Sequence, residues 1–559
     1  MTVYRENEGP KRFKVVSRRT LQTVANRRQM LAASAGLGGA ALFGKQAFAS
    51  PSRQAAYARA AAQDELSIII GTLGEAPTIN PFKANDSEEN WRCIQMFDEL
   101  LRIDPVTYEP IPGIASDFTL DGLTLTLTIH PDVKFSDGSD LTADDVKFTL
   151  EGHINPKTGS IRQTKYLAIK GAQEYADGSA DDVSGITVVD PKTLTVELAD
   201  PDAAILYNMR FVRPVPKAQL EGKDLASDPW FQAPIGAGPF AFESWSTGAD
   251  FVMVRNEHYF EENKPAIQRV THRVIADAQS LVVALLNNEI DGSNYPSPSG
   301  KAELEGNPEL VVMVPPFNSA NGWMFNTRHE LLANRDVRRG ITMALDREQF
   351  AADALLGLGE PAIGPLAPGS WAFDSSLEAL PYDPDQAREL IKGAGADGAK
   401  ISFVVNAGNI QREDWLVYTQ QALKDVGIEV DAQTSEWATL VSAVTERQEY
   451  EVAGGDWCGA TAQPSDLYEQ FHSKGTANYS GFNDADLDAL LEQARQTIEV
   501  EDAKPIYADI QKILVEETPF FFAWYRPFLH TINKKWDGYT DSGSEGLFYT
   551  LRDWTATSS

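Results

Sequence analysis

Two periodicities run through the pattern of apolar and polar positions, with no internal sequence repeat. Leu123-Thr124-Leu125-Thr126-Leu127-Thr128-Ile129 alternates with period two, which predicts a half-buried strand. Leu66-Ser67-Ile68-Ile69-Ile70 predicts the first strand of the body, and Ile401-Ser402-Phe403-Val404-Val405 a buried one. Helical spacing appears elsewhere. Thr142-Ala143-Asp144-Asp145 caps a helix through Val146, Phe148 and Leu150, after a turn at Asp137-Gly138. Asp383-Pro384 starts another, closed by Gly393 and Gly395. A helix over 413–424 ends at Gly427, before a strand at Ile428-Glu429-Val430. Asn483 is the expected cap of the run Leu487, Leu490, Leu491, Ala494. Strand, helix and strand in succession after residue 400 predict parallel pairing, and the fold class is α/β in two lobes.

Composition narrows the function. The 559 residues are 43% apolar and 10% aromatic, enough for a core and against disorder, and two cysteines exclude a disulfide scaffold. The formal charge of −31 argues against nucleic acid or anionic lipid as partner. Residues 1–49 carry nine of the basic side chains and only two acids, so the remainder holds 40 basic against 78 acidic residues, a net −38.

That basic segment reads as an export leader. Arg27-Arg28 precede a small, Ala- and Gly-rich stretch, which ends in Lys45-Gln46 and an A-x-A cleavage site, Ala47-Phe48-Ala49. The paired arginines resemble a twin-arginine signal, read by the twin-arginine translocase. The residue directly after the cleavage site is Ser50 and not a cysteine, which argues against a lipid anchor. The expectation is a soluble periplasmic protein, with 50–64 as a tether.

Several stretches together resemble family 5 of the extracellular solute-binding proteins, the dipeptide-, oligopeptide- and nickel-binding receptors of ABC importers. They include Phe97-Asp98-Glu99-Leu100-Leu101, Asp132-Val133-Lys134-Phe135-Ser136-Asp137-Gly138, Gly236-Ala237-Gly238-Pro239-Phe240 and Arg255-Asn256-Glu257-His258-Tyr259-Phe260. Asn287-Asn288-Glu289-Ile290-Asp291, Phe325-Asn326-Thr327 and Tyr382-Asp383-Pro384 continue the order. The resemblance implies a two-lobed periplasmic binding protein of Venus-flytrap type with an enlarged first lobe. It places lobe I at 65–315 with 530–559 returning to it, and lobe II at 316–529. It also implies a monomer that binds without turnover and hands its solute to ABC importer membrane subunits, with no cofactor.

In peptide-binding members a Trp-x-Gly-Asp stretch supplies the carboxylate that holds the peptide ammonium. Here the stretch reads Trp457-Cys458-Gly459-Ala460, and Gln463 replaces a second Asp. A buried ammonium without its carboxylate loses about 3–5 kcal/mol, so free di- and tripeptides are expected to bind weakly unless Asp456 or Asp466 substitutes. The expected ligand is a modified peptide, an opine-like conjugate or an oligosaccharide, with a standard peptide as the alternative. Arg412 lies near the position where some relatives bind a ligand carboxylate, although a solvated surface arginine would look the same. Expected cleft residues are Asn85, Asn90, Asn321, Trp323, Trp371, Trp457, Cys458, Gly459 and Ala460. Trp415, Trp437 and Trp524 are expected in the core.

Other classes find little support. The seven histidines form no tight ligand cluster, which argues against a metal site. No nucleophile elbow, zinc-protease motif or phosphate loop supports a secreted hydrolase. Cys93 and Cys458 are expected as small core residues, although the periplasm would permit their pairing.

Overall fold

The computed structural model describes residues 66–315, 319–355, 358–458, 464–525, 528–543 and 545–557. The leader, with Arg27, Arg28, Ala47 and Ala49, lies outside them, as do Gly459 and Ala460. Two large sheets organise the chain. The first has seven strands, in the order 310–313, 530–533, 292–293, 67–72, 269–274, 250–255, 240–245. The second has six, in the order 360–361, 520–525, 320–325, 452–458, 400–406, 429–435. A separate four-stranded sheet spans residues 115–197. The chain crosses between the large sheets twice, after Met313 and after Tyr525.

Local sequence signals explain most elements. Thr124–Ile129 forms the alternating strand, with Leu125, Leu127 and Ile129 buried, and pairs antiparallel on both sides. Thr142 and Asp145 form the capping box of helix Ala143–Ile154. Lys400–Asn406 and Glu429–Ser435 pair in parallel through helix Ile410–Asp425, as the strand–helix–strand pattern requires. That helix begins at Ile410 because Asn409 accepts from the Arg412 backbone N–H. Helix Ala485–Gln496 is capped by Asp484 and not by Asn483: the Asp484 carboxylate accepts from the Leu487 N–H at 2.8 Å.

The family-like stretches of the first lobe converge around helix Ser87–Phe97. Asp98 accepts from Arg102 at 2.6 Å and from the Tyr259 hydroxyl at 2.9 Å. Gly238 donates its N–H to the Met96 carbonyl at 2.8 Å, an approach so close that a Cβ would fall 2.5 Å from the Met96 carbonyl carbon. These contacts fix the helix that carries Asn90 and Trp91. The second lobe packs its sheet between two cores, one under helix Ile410–Asp425 and the other under helices Ala485–Gln496 and Val500–Glu517. Among the described residues no helix is long and apolar enough to cross a membrane.

Candidate functional site

In a parallel pair, residues just beyond the carboxyl ends of the strands face the crevice where ligands bind in open α/β sheets. Here that end carries Asn406, Arg412 in the first turn of the following helix, and Trp437 just beyond Ser435. Arg412 is 5% exposed and gathers three polar partners: Asn321 at 3.1 Å, Asn406 at 2.9 Å and Asp456 at 2.5 Å. Its guanidinium also lies 5.9 Å from the Trp437 ring centroid. Arg412 therefore belongs to a built cluster and is no solvated surface arginine. Its charge is matched by Asp456.

Two tryptophans, Trp323 and Trp437, sit where the residue pattern did not foresee. Trp323 is fully buried, with its Nε1–H donating to Thr419 at 3.0 Å and its ring 5.0 Å from Phe403 and 6.3 Å from Trp415. The expectation that it faces the ligand is corrected. Asn321 and Trp323 look toward the same helix, but only Asn321, one rung nearer the strand end, reaches Arg412; Trp323 lies under the second and third turns. Trp437, expected in the core, is 41% exposed beside Arg412. Trp371 is half-buried edge-on to Tyr507 at 5.5 Å, at the side of the second core. Trp415 and Trp524 are core residues. Trp457 and Cys458 lie at the end of strand Val452–Cys458, where Cys458 pairs with Ala320 in the backbone register.

The first lobe contributes a polar wall from helix Ser87–Phe97 and the segments near 160 and 210. Asn85 is exposed, and its backbone N–H donates to Glu89 at 2.6 Å. The Asn90 side-chain carbonyl accepts from Arg213 at 2.9 Å and from Arg162 at 3.3 Å. Arg210 makes a two-pronged pair with Glu545. Glu99, fully buried, accepts from the Tyr549 hydroxyl at 2.7 Å and lies 3.5 Å from Arg210. Burial pushes the Glu99 carboxyl up, and the neighbouring Arg210 and Arg213 oppose this. Trp91 donates to the Glu545 carbonyl at 2.8 Å and opens a file of rings, with Tyr295 at 5.7 Å and Phe528 a further 6.0 Å on. Tyr295 and Phe528 are half-buried, a suitable surface for apolar or sugar faces.

The two lobes touch along a polar seam. Lys165 pairs with Asp466 at 2.9 Å, and Thr164 donates to Glu469 at 2.9 Å. Asp202 faces Arg495 at 3.5 Å, while the Ala203 N–H donates to the Arg495 carbonyl at 2.8 Å. The crevice beside these pairs measures only about 20 Å³, room for a water or two. It is therefore a contact between lobes and not a ligand cavity.

The residue pattern missed Arg162, Lys165, Arg210, Tyr295 and the seam. One signal was available: Arg162 and Lys165 stand within four residues of each other in a body strongly depleted of cations. Among the described residues no group of three or more His, Cys, Asp or Glu is arranged to hold a metal ion. Cys93 is a buried free thiol, its pKa pushed up to about 11 by burial, which makes it unreactive.

Comparison with known proteins agrees with this geometry. The profile of the bacterial extracellular solute-binding proteins, family 5 (middle region), matches residues 109–479. The oligopeptide-binding protein AppA of Bacillus subtilis is 28% identical over 510 residues, covering 88% of this chain and 91% of AppA. The structure of that AppA in complex with a nonapeptide superposes with a TM-score of 0.80 at 25% identity, covering 89% of this chain and all of the other. AgaA of A. tumefaciens R10, solved with agropinic acid, shares the fold at a TM-score of 0.77 and 21% identity, over 88% of this chain and 99% of its own.

Proposed function

The chain belongs to family 5 of the bacterial extracellular solute-binding proteins, and from that premise we propose that it is the receptor of an ABC importer for a small polar organic solute other than a free short peptide. The two lobes enclose the solute, and the closed form is what the membrane subunits receive. Family members and the relatives named above bind solutes, so the protein is a receptor and not an enzyme.

One observation carries the ligand reading. Both acids that could stand in for the carboxylate absent at Ala460 are occupied by the protein's own cations, Asp456 by Arg412 and Asp466 by Lys165. A peptide ammonium entering here would have to displace an existing partner from a partly buried carboxylate. A modified peptide whose amine is blocked, an opine-like conjugate whose nitrogen is closed into a lactam, or an oligosaccharide makes no such demand. The second reading, an oligopeptide receptor, is favoured by the likeness to AppA over nearly the whole chain.

The leader supports export through the twin-arginine translocase and cleavage after Ala49 into the periplasm, and the family likeness supports a monomeric form. Replacing Arg27 and Arg28 with Lys is expected to abolish the periplasmic pool; unchanged export would exclude this route. Native mass spectrometry of the mature protein tests the ligand. A single conjugate or sugar-containing mass supports the reading, whereas a ladder of free peptides establishes the oligopeptide receptor.

A further inference from the structure

Among the described residues, no carboxylate pairs with the buried cation Arg162. It is 5% exposed, and its Nη1 is buried with no hydrogen-bond partner. Its contacts are the Asn90 side-chain carbonyl at 3.3 Å and the Phe211 ring, whose centroid lies 4.4 Å away. The nearby carboxylates serve other cations: Glu99 and Glu545 lie against Arg210, and Asp466 holds Lys165. Arg213 adds a second guanidinium on the same Asn90 oxygen. Burial and Arg213 together pull the Arg162 pKa down to about 10, as expected for a charge held away from water without compensation. The internal residues outside the described set contain no acid that could pair with it. A protein retains such a group at a cost in stability unless an anion arrives to pair with it.

Its position fits a ligand anchor. Two and three residues later, Thr164 and Lys165 touch the second lobe, so Arg162 lies on the segment that meets that lobe at the seam. Phe211 and Asn90, which flank the guanidinium, are both half-exposed. We propose that Arg162, supported by Arg213 and Asn90, is the first-lobe anchor for an anionic group of the solute, a carboxylate or a phosphate. This proposal rests on the receptor reading above and adds a charge class to it. The planar fork of the guanidinium suits either group, because it offers two parallel N–H donors. Arg412, matched by Asp456, is then a structural cation of the opposite lobe.

The test uses the full mature protein, stripped of bound solute by unfolding and refolding. Thermal midpoints are read against N-acetylglycine and against inorganic phosphate, with ionic strength held constant by chloride. We expect one of these anions to raise the midpoint of the wild type and to leave Arg162→Met unmoved; which one does so distinguishes carboxylate from phosphate. Without anion, Arg162→Met is expected to melt at or above the wild type, since an unpaired buried charge has been removed. Arg162→Lys should retain a weaker response. Equal responses in wild type and Arg162→Met, or none in either, would overturn the proposal, as would a lowered anion-free midpoint in Arg162→Met. Native mass spectra separate the two levels of inference. If Arg162→Met co-purifies the wild-type adduct at wild-type occupancy, the anchor is wrong and the receptor stands; if neither protein carries any solute, the receptor reading itself loses support.

Discussion

The Lys165–Asp466 pair joins the lobes, so removing it should weaken solute retention without damaging either lobe. The Nζ–Oδ1 distance is 2.9 Å, with side chains 15% and 24% exposed. At an effective dielectric of about 20 the gross attraction is about 6 kcal/mol. Desolvation and side-chain ordering offset most of it, and a hydrogen bond between charged groups nets about 1.5–3 kcal/mol. Partial exposure places this pair at the lower end, about 1.5 kcal/mol, or roughly a tenfold change in an equilibrium constant. Because the pair exists only where the lobes meet, its loss favours the open form, and apparent affinity falls by the same factor when the open form dominates without ligand. Lys165→Met, Asp466→Ala and the double variant form a cycle, read by calorimetric titration with the solute identified from native mass spectra. Asp466 also sits in the first turn of helix Asp466–Phe471, and the cycle separates that contribution from the pair itself. Raised salt should weaken the wild type more than the double variant. Single variants binding within twofold of the wild type, or a coupling energy indistinguishable from zero, would refute the latch.

Trp323→Ala is expected to destabilise the protein by about 3–5 kcal/mol, as buried aromatic truncations do, while the fraction that remains folded binds solute within twofold of the wild type; denaturant unfolding alongside titration checks both. Gly238→Ala should lower the thermal midpoint and weaken binding together, since the Met96 backbone blocks a Cβ and helix Ser87–Phe97 would have to shift. Burial pushes the Glu88 carboxyl up to about 7, against the pull of Arg92. The native state therefore holds that proton more tightly than the unfolded chain, so Glu88 contributes stability below its unfolded value of about 4.5 that is lost as pH rises through about 7. Glu88→Gln should flatten the decline in thermal midpoint between pH 5 and 8, and an unchanged slope would assign the decline to other groups.

Most elements and the family likeness are legible in the residue pattern alone. Alternation at 123–129, the Thr142 cap, proline at the start of helix Pro384–Gly393 and the strand–helix–strand order after residue 400 are local signals, because each depends on neighbours within a few positions. Which side chains meet depends on the fold. Trp323 and Trp437 exchange their expected places because exposure depends on how far along a strand the covering helix reaches, which residue type does not reveal. Arg412 owes its character to Asp456, 44 residues away, and the seam joins Lys165 to Asp466, 301 residues away. Charge compensation acts through space over a few ångströms, so an arginine reads the same in sequence whether a carboxylate of the protein pairs with it or none among the described residues does. Arg412 is the first kind and Arg162 the second, and only the fold tells them apart.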